Sequence, residues 1–414
     1  MAVIAPSAMP LSLCRLLDPA VLADPYPLYR ALREHDPVHW DPFLHAWVVT
    51  GYAEVLTVLR QFSADRTPSP GQLRLMGMAG LEPIAEIMVR QMLFMDGRAH
   101  ARLRSLCAAA FTPRRVEALR AQIQEVADRL IDRVAGAGRM EAIADFASPF
   151  PAIVTATLLG VATEDHEQLK AWSADFAEML GNFQHNPERA PRVLKSLREM
   201  VAYFRATLRS GEARARNGLI QALSNADLDG ARLSEEEVIA NTIVTMVGGQ
   251  ETTTNLIGGG LLTLLRQPDR LARLRDDPSI MKSAVEELLR YESPSQHTGR
   301  IAPQDMVLGG KPLRRRDAVM AVIGAANRDP AQFPDPDRLD LTRTENRHLA
   351  FGWAAHFCFG APLARMEGQI AFATLLRRLD DLALAPDARL EWRENLGLRG
   401  LKSLAVTFVR RSTA

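Results

Sequence analysis

The sequence predicts one large, mainly α-helical domain, residues 1–414, with small β-sheets toward its ends. Helical periodicity runs almost unbroken from Gly97 to about Arg275. Ala, Leu and Arg are abundant, while aromatics make up only 6% of the chain. A capped helix in the middle is long enough to cross the whole body. A content of 47% hydrophobic and 24% charged residues is ordinary for a globular chain with a sizeable core.

The elements follow in order. The opening MAVIAPSAMPLSLCRLLDPAVL is apolar but interrupted by Pro6, Pro10, Arg15 and Asp18. It lacks the basic start of a signal peptide and the run of about 20 apolar residues that a bilayer crossing needs. Residues 1–24 are therefore expected to lie on the protein as a tail, and no other stretch reads as a membrane span. DPYPLYRALREHD reads as a helix, VHW and AWVVT as strands, and YAEVLTVLR as a second helix. Ser63 to about Gly80 is rich in Pro and Gly and reads as a loop. After Arg275 come strand-like MVLGG, AVMAVIG and LAVTFV.

The long helix begins at Ser234-Glu235-Glu236-Glu237, a capping box, and its next strong breaker is Pro268. About 34 residues at ~1.5 Å each span ~50 Å, against a radius of gyration near ~22 Å for such a domain. Its middle must be buried, yet it reads Gly248-Gly249-Gln250-Glu251-Thr252-Thr253-Thr254-Asn255. Glycines weaken a helix interior, and a buried carboxylate beside hydroxyls is costly unless satisfied. A kink carrying an acid–hydroxyl pair accounts for this run; locally satisfied hydroxyls in a bent helix are the plainer alternative.

A formal net charge of +1 argues against a polyanion-binding protein. Three cysteines, Cys14, Cys107 and Cys358, are too few and too scattered for a disulfide framework, and a reducing cytoplasm fits them best. Cys358 sits in Phe351-Gly352-Trp353-Ala354-Ala355-His356-Phe357-Cys358-Phe359-Gly360, just before the helical APLARMEGQIAFATLLRRL. Amides at that helix start are expected to lower the thiol pKa and favour a thiolate suited to a soft metal ion. A buried, inert cysteine is the other reading of the segment alone. Glu287 and Arg290 share a helix face and can pair, as can the face-sharing His100 and Arg104.

The segment Phe351-Gly352, His356, Cys358, Gly360, Leu363, Ala364 and Arg365 resembles the haem-binding signature of the cytochrome P450 family. Gly248 to Thr253 is similar to that family's oxygen-activation motif, and Glu287-Leu-Leu-Arg290 to its ExxR motif. Phe333-Pro-Asp-Pro-Asp-Arg338 resembles the loop whose arginine joins the ExxR pair. His100 to Arg104, followed by AAAFTPRRVE, resembles an early helix of bacterial members. The resemblance covers roughly residues 25 to 410, with every motif in order. It implies the single-domain P450 fold, with a long central helix over haem b. It implies Cys358 as the iron ligand, and His100, Arg104, Arg300 and His356 as partners of the haem propionates. Phe351, Gly360 and Gly248 are expected beside the cofactor. Glu251 is then a general acid feeding protons to Thr252, and Glu287, Arg290 and Arg338 form a structural charge cluster. Two positions depart from the family pattern: Ala354 and Gly248 stand where glycine and alanine are more usual. If the loop needs positive φ at Ala354, the side chain costs about 1–2 kcal/mol.

The implied activity is insertion of one atom of O2 into an apolar secondary metabolite such as a polyketide, terpenoid or peptide. Other haem-thiolate chemistry, such as oxidative coupling or peroxide use, and a haem sensor are the alternatives. The chain has no flavin or nicotinamide domain, so a separate ferredoxin with its NAD(P)H-dependent reductase is expected. Arg98, Arg102, Arg114 and Arg115 are candidates for the docking patch. Nucleic-acid and membrane partners are not expected, and a monomer is. The Ser63–Asp96 stretch is rich in methionine (Met76, Met78, Met88, Met92, Met95), which suits an adaptable apolar pocket. Met92, Met246, Val247, Gln296, His297, Thr298 and Leu396 are the candidate substrate contacts. The substrate's identity, and whether a carrier presents it, stay open.

Overall fold

A computed structural model describes residues 11–75, 78–181, 187–210, 216, 218–228 and 230–411. The organising element is the helix Glu235–Leu265, 31 residues long. Its capping box is complete: the Glu237 amide donates to Ser234 Oγ at 3.1 Å, and the Ser234 amide donates to Glu237 Oε2 at 2.9 Å. From Val238 onward it is buried on nearly every side. This follows from packing. The helices Pro149–Leu159, His166–Gly181, Ala361–Arg378 and Met281–Tyr291 all contact it. Its glycines permit close approach. A Cβ at Gly260 would lie 2.7 Å from the Phe372 ring, and one at Gly258 only 2.6 Å from Ile143 Cδ1. The helix is unbroken through Gly248–Asn255, where the sequence suggested a kink.

Small sheets flank the helices. The four-stranded sheet has the order Val38–Asp41, Ala46–Val49, Ala318–Ala321, Thr298–Ile301. Its outer pairings are antiparallel and its middle one, Ala46–Val49 with Ala318–Ala321, is parallel. Alternation sends Val49, Val319 and Ala321 into the cluster under the helix Tyr52–Gln61, while Val48 and Val322 pack against Leu13 and Leu16. The second sheet joins Leu379–Leu384, Ala405–Arg410 and Arg139–Glu141.

The first described residues are fastened to the body. Asp41 is buried and accepts hydrogen bonds from Ser12 Oγ at 2.8 Å and the Leu13 amide at 2.9 Å. Residues 1–10 of the expected tail fall outside the described residues.

Three expectations need correction. The Ser63–Gly80 stretch contains a short helix, Pro70–Leu75. The Gly97–Arg275 region is interrupted by the strand Arg139–Glu141 and the hairpin Asp227–Leu228/Ala231–Arg232, which local periodicity does not register. Ala142–Leu159 is long and apolar enough to cross a membrane, although no such stretch was expected; 83% of it is buried inside the protein, as a core helix would be.

Candidate active site

The Cys358 loop is built by backbone constraints. The Cys358 amide donates to the Phe351 carbonyl at 2.7 Å, closing the loop on itself. Gly352 (φ +68°) and Ala354 (φ +55°) both turn it through the left-handed region. Glycine takes that conformation freely; alanine is strained in it, as the departure at Ala354 suggested. The helix Ala361–Arg378 then starts with no side-chain cap, which leaves its first amides to other partners. The amides of Gly360 and Ala361 donate to the Cys358 sulfur. Burial nevertheless dominates and pushes the thiol above its ordinary range, against these amides and the charges of Arg104 and Arg365. The expected lowering by the helix start is outweighed by burial.

Arg365 stacks 4.4 Å over Phe351 and donates to both oxygens of Glu286, at 2.7 and 2.8 Å. His348 reaches the same carboxylate at 3.1 Å. Burial alone would raise the Glu286 carboxyl, but His348 and Arg365 hold it down to about 2. The adjacent Glu287 faces the other way. Arg290 grips it with two hydrogen bonds of 2.8 Å, and both side chains are fully buried. The second guanidinium there belongs to Arg343, at 3.2 and 3.3 Å from Glu287. The expected Arg338 is exposed and gives the cluster only its carbonyl, which accepts from Arg290 Nη2 at 3.3 Å.

A cavity of about 820 Å³ opens beside Cys358. The central helix lines it with Val244, Thr245, Gly248, Gly249, Thr252 and Thr253, spaced as one helical face requires. Met246 and Val247 are buried on other faces, away from it. Met92, His297, Thr298 and Leu396 line it, as do Met78 and Met88. Met95 does not, and Met76 lies outside the described residues. Gln296 turns away: its Nε2 donates to the Ser293 carbonyl at 2.7 Å, and its Oε1 packs against Gly324. The backbone at Arg90–Met92 is fastened to the central helix by Asn241. Its Oδ1 accepts from the Met92 amide at 3.0 Å, and its Nδ2 donates to the Arg90 carbonyl at 3.0 Å.

The acid–hydroxyl pair is split between two faces. Thr252 is on the cavity wall, its Oγ1 donating to the Gly248 carbonyl at 2.6 Å. Glu251 is buried behind the wall, where Oε2 accepts from Arg393 Nη1 at 2.6 Å. Burial raises the Glu251 carboxyl, and Arg393 works against it. The Arg393 side chain is 29% exposed, so this pair bridges solvent and the helix interior.

One pole of the cavity is cationic. His100, Arg104, Arg300, Phe351, His356 and Gly360 all line the cavity. The His100 and His356 rings lie 4.2 Å apart. His356 is pushed down to about 4, by burial above all, while its hydrogen bond to Asp96 opposes this. Arg104 donates to the Phe357 carbonyl at 2.7 Å. His100 Nε2 and Arg300 Nε are buried without a partner. Sequence reasoning missed Asp96, which accepts from Ser63 Oγ, the Ala64 amide and His356, and so holds this pole together. It also missed the cavity-lining Arg66. An Asp directly ahead of Gly97, Arg98 and His100 was the only hint of the former.

These features fit haem b. The buried Nε2 of His100 and Nε of Arg300 have no partner among the described residues, the walls are largely apolar, and Cys358 lines the space.

A profile of the family described as Cytochrome P450 matches residues 79–390. The "Biotin biosynthesis cytochrome P450" of Bacillus subtilis is 38% identical over 94% of this chain and 97% of its own length. The 6-deoxyerythronolide B hydroxylase of Saccharopolyspora erythraea is 38% identical over 92% and 96%. Among solved structures, P450BioI in complex with hexadec-9Z-enoic acid ligated acyl carrier protein superposes with a TM-score of 0.88. It is 36% identical, covering 94% of this chain and 99% of that one.

Proposed function

Because the chain belongs to the cytochrome P450 family, and is a haem-thiolate monooxygenase, we propose that it oxygenates an apolar secondary metabolite bound between Met92, Val244 and Leu396. The carrying observation is that Cys358 and Thr252 line one and the same largely apolar cavity. Haem b, held through the Cys358 thiolate, supplies the binding and reductive activation of O2.

The chain's own residues do the rest. The amides of Gly360 and Ala361 fix the sulfur. His100, Arg104, Arg300 and His356, which line the cavity, would supply donors to the cofactor's carboxylates. Thr252 keeps a hydroxyl proton at the cavity wall, now lodged on the Gly248 carbonyl. Glu251, whose carboxyl burial raises against the pull of Arg393, relays protons from behind the wall and takes replacements through the Arg393 side of the helix. Leucines and methionines around the cavity exclude water and grip an apolar ligand.

The family depends on redox partners. For this chain the partner we propose is a ferredoxin. Phe111 packs 4.6 Å from Phe359, the residue after Cys358, and the exposed Arg114 and Arg115 follow it closely. Arg98 is also exposed; Arg102 is engaged by Glu237 and the Arg232 carbonyl. The carrier-bound acyl chain in the P450BioI structure supports long-chain acyl groups as one substrate class to test.

Two measurements test this reading. The reduced protein under carbon monoxide is expected to show the strongly red-shifted Soret band of thiolate ligation, and Cys358→His to lose it. Protein without haem would end the proposal. Titration with free and carrier-bound acyl chains, macrolactones and terpenes is expected to shift the spin state for one class.

A further inference from the structure

We propose that Arg66 binds a carboxylate inside the cavity, working with Arg300 as a two-guanidinium clamp. Arg66 lies just past the turn that Asp96 pins, through Ser63 Oγ and the amides of Ala64 and Asp65. Its guanidinium rests 4.6 Å over the Phe94 ring, and Nη1 donates only to backbone carbonyls, Ala64 at 3.1 Å and Leu93 at 3.5 Å. Its stem packs on Gly299, where a Cβ would lie 3.2 Å from Arg66 Cδ. Gly299 therefore leaves Arg66 room beside the strand that carries Arg300. Arg300 Nη1 donates to Thr298 Oγ1 and the Gly299 carbonyl, and its Nε has no partner.

Both arginines line the cavity, and neither has a carboxylate within ion-pair distance among the described residues. Asp96, the nearest acid, has its oxygens committed to Ser63, Ala64, Asp65 and His356. Two like charges held close in a low-dielectric pocket call for a counter-anion. The strain shows in Arg66, pushed down to about 9 by burial and then by Arg300. Haem brings carboxylates to this pole; the acid end of a substrate is the other source.

The test uses purified holoenzyme, with Arg66→Met to keep the stem and Arg66→Lys to keep the charge. Haem loss to excess apomyoglobin is followed at the Soret band. Spin-state titrations compare hexadecanoic acid with its methyl ester. If the carboxylates are the cofactor's, Arg66→Met loses haem at least about tenfold faster, the equivalent of one charge-assisted hydrogen bond. If the carboxylate is the substrate's, haem loss is unchanged and the acid, but not the ester, binds about tenfold more weakly. Arg66→Lys stays near wild type in either case. Unchanged behaviour of Arg66→Met in both assays overturns the proposal. So does an Arg66→Lys defect as large as that of Arg66→Met, which would assign the effect to packing. A wild-type protein that never held haem would instead count against the monooxygenase reading itself.

Discussion

Replacing Arg343 by alanine is expected to destabilise the protein, whereas replacing Arg338 is not. Arg343 contacts both oxygens of the fully buried Glu287, at 3.2 and 3.3 Å, and donates to the Pro334 carbonyl at 3.0 Å. Its loss does not strand the carboxylate, because Arg290 keeps its double grip and the Asp340 amide still donates at 2.9 Å. The cost is therefore that of one charge-assisted interaction, about 2–3 kcal/mol, short of the ~3–5 kcal/mol for breaking a buried pair outright. At ~2.1 cal/mol/K per residue, a chain of 414 residues unfolds with an entropy of ~0.9 kcal/mol/K. The midpoint should therefore fall by ~3 °C. Arg338→Ala keeps the carbonyl that Arg290 uses and removes only an exposed side chain, so its midpoint should not move. Parallel melts at one scan rate, followed by far-ultraviolet circular dichroism and by the red-shifted carbon monoxide band, decide the matter. An Arg338→Ala midpoint as low as that of Arg343→Ala would refute the assignment, as would an unmoved Arg343→Ala.

Further perturbations address the cavity and its proton supply. The protonated form of Glu251 is the donor, so turnover falls as pH rises through its raised pKa; Arg393 opposes that rise. Arg393→Gln should therefore carry the alkaline limb to higher pH, and Glu251→Gln should remove the limb and slow turnover by roughly 10²-fold. A limb that stays put in Arg393→Gln counts against the pair. Thr252→Ala should waste NAD(P)H without product, and Thr252→Ser should restore coupling; equal coupling in all three proteins would deny the hydroxyl its role. Val244→Phe should obstruct ligand binding while Met246→Leu leaves it unchanged, as spectral titration will show, because only Val244 lines the cavity. Ala354→Gly relieves a φ of +55° and should raise the melting midpoint by about 1 °C at most, since glycine's extra chain entropy offsets part of the gain.

Much of this was legible in the sequence wherever a single local rule governs. The capping box fixed the start of the central helix, and the loop before a helix start placed Cys358. The strain at Ala354 followed from one departure in the pattern. Side-chain direction was harder. Met246 and Val247 are expected in the wall from their place in the chain, yet the wall takes Val244, Thr245, Gly248, Gly249, Thr252 and Thr253, a face from which those two point away. Gln296 was assigned to the pocket by proximity in sequence, but its direction depended on Ser293 and Gly324. Arg343 and Arg66 sit in aperiodic chain, where no spacing rule says which guanidinium reaches a distant partner.

The Asp96 and Asn241 fastenings make the stretch between them an interchangeable cassette. Asp96 ties the turn Ser63–Asp65, and Asn241 ties Arg90–Met92. What lies between has both ends nailed to the frame that carries Thr252 and His356. Doubling the length of such a loop costs only about 0.6 kcal/mol of closure entropy. Beyond Arg66, selectivity can therefore be rebuilt in this stretch by insertion, deletion or exchange, while the reacting centre keeps its shape.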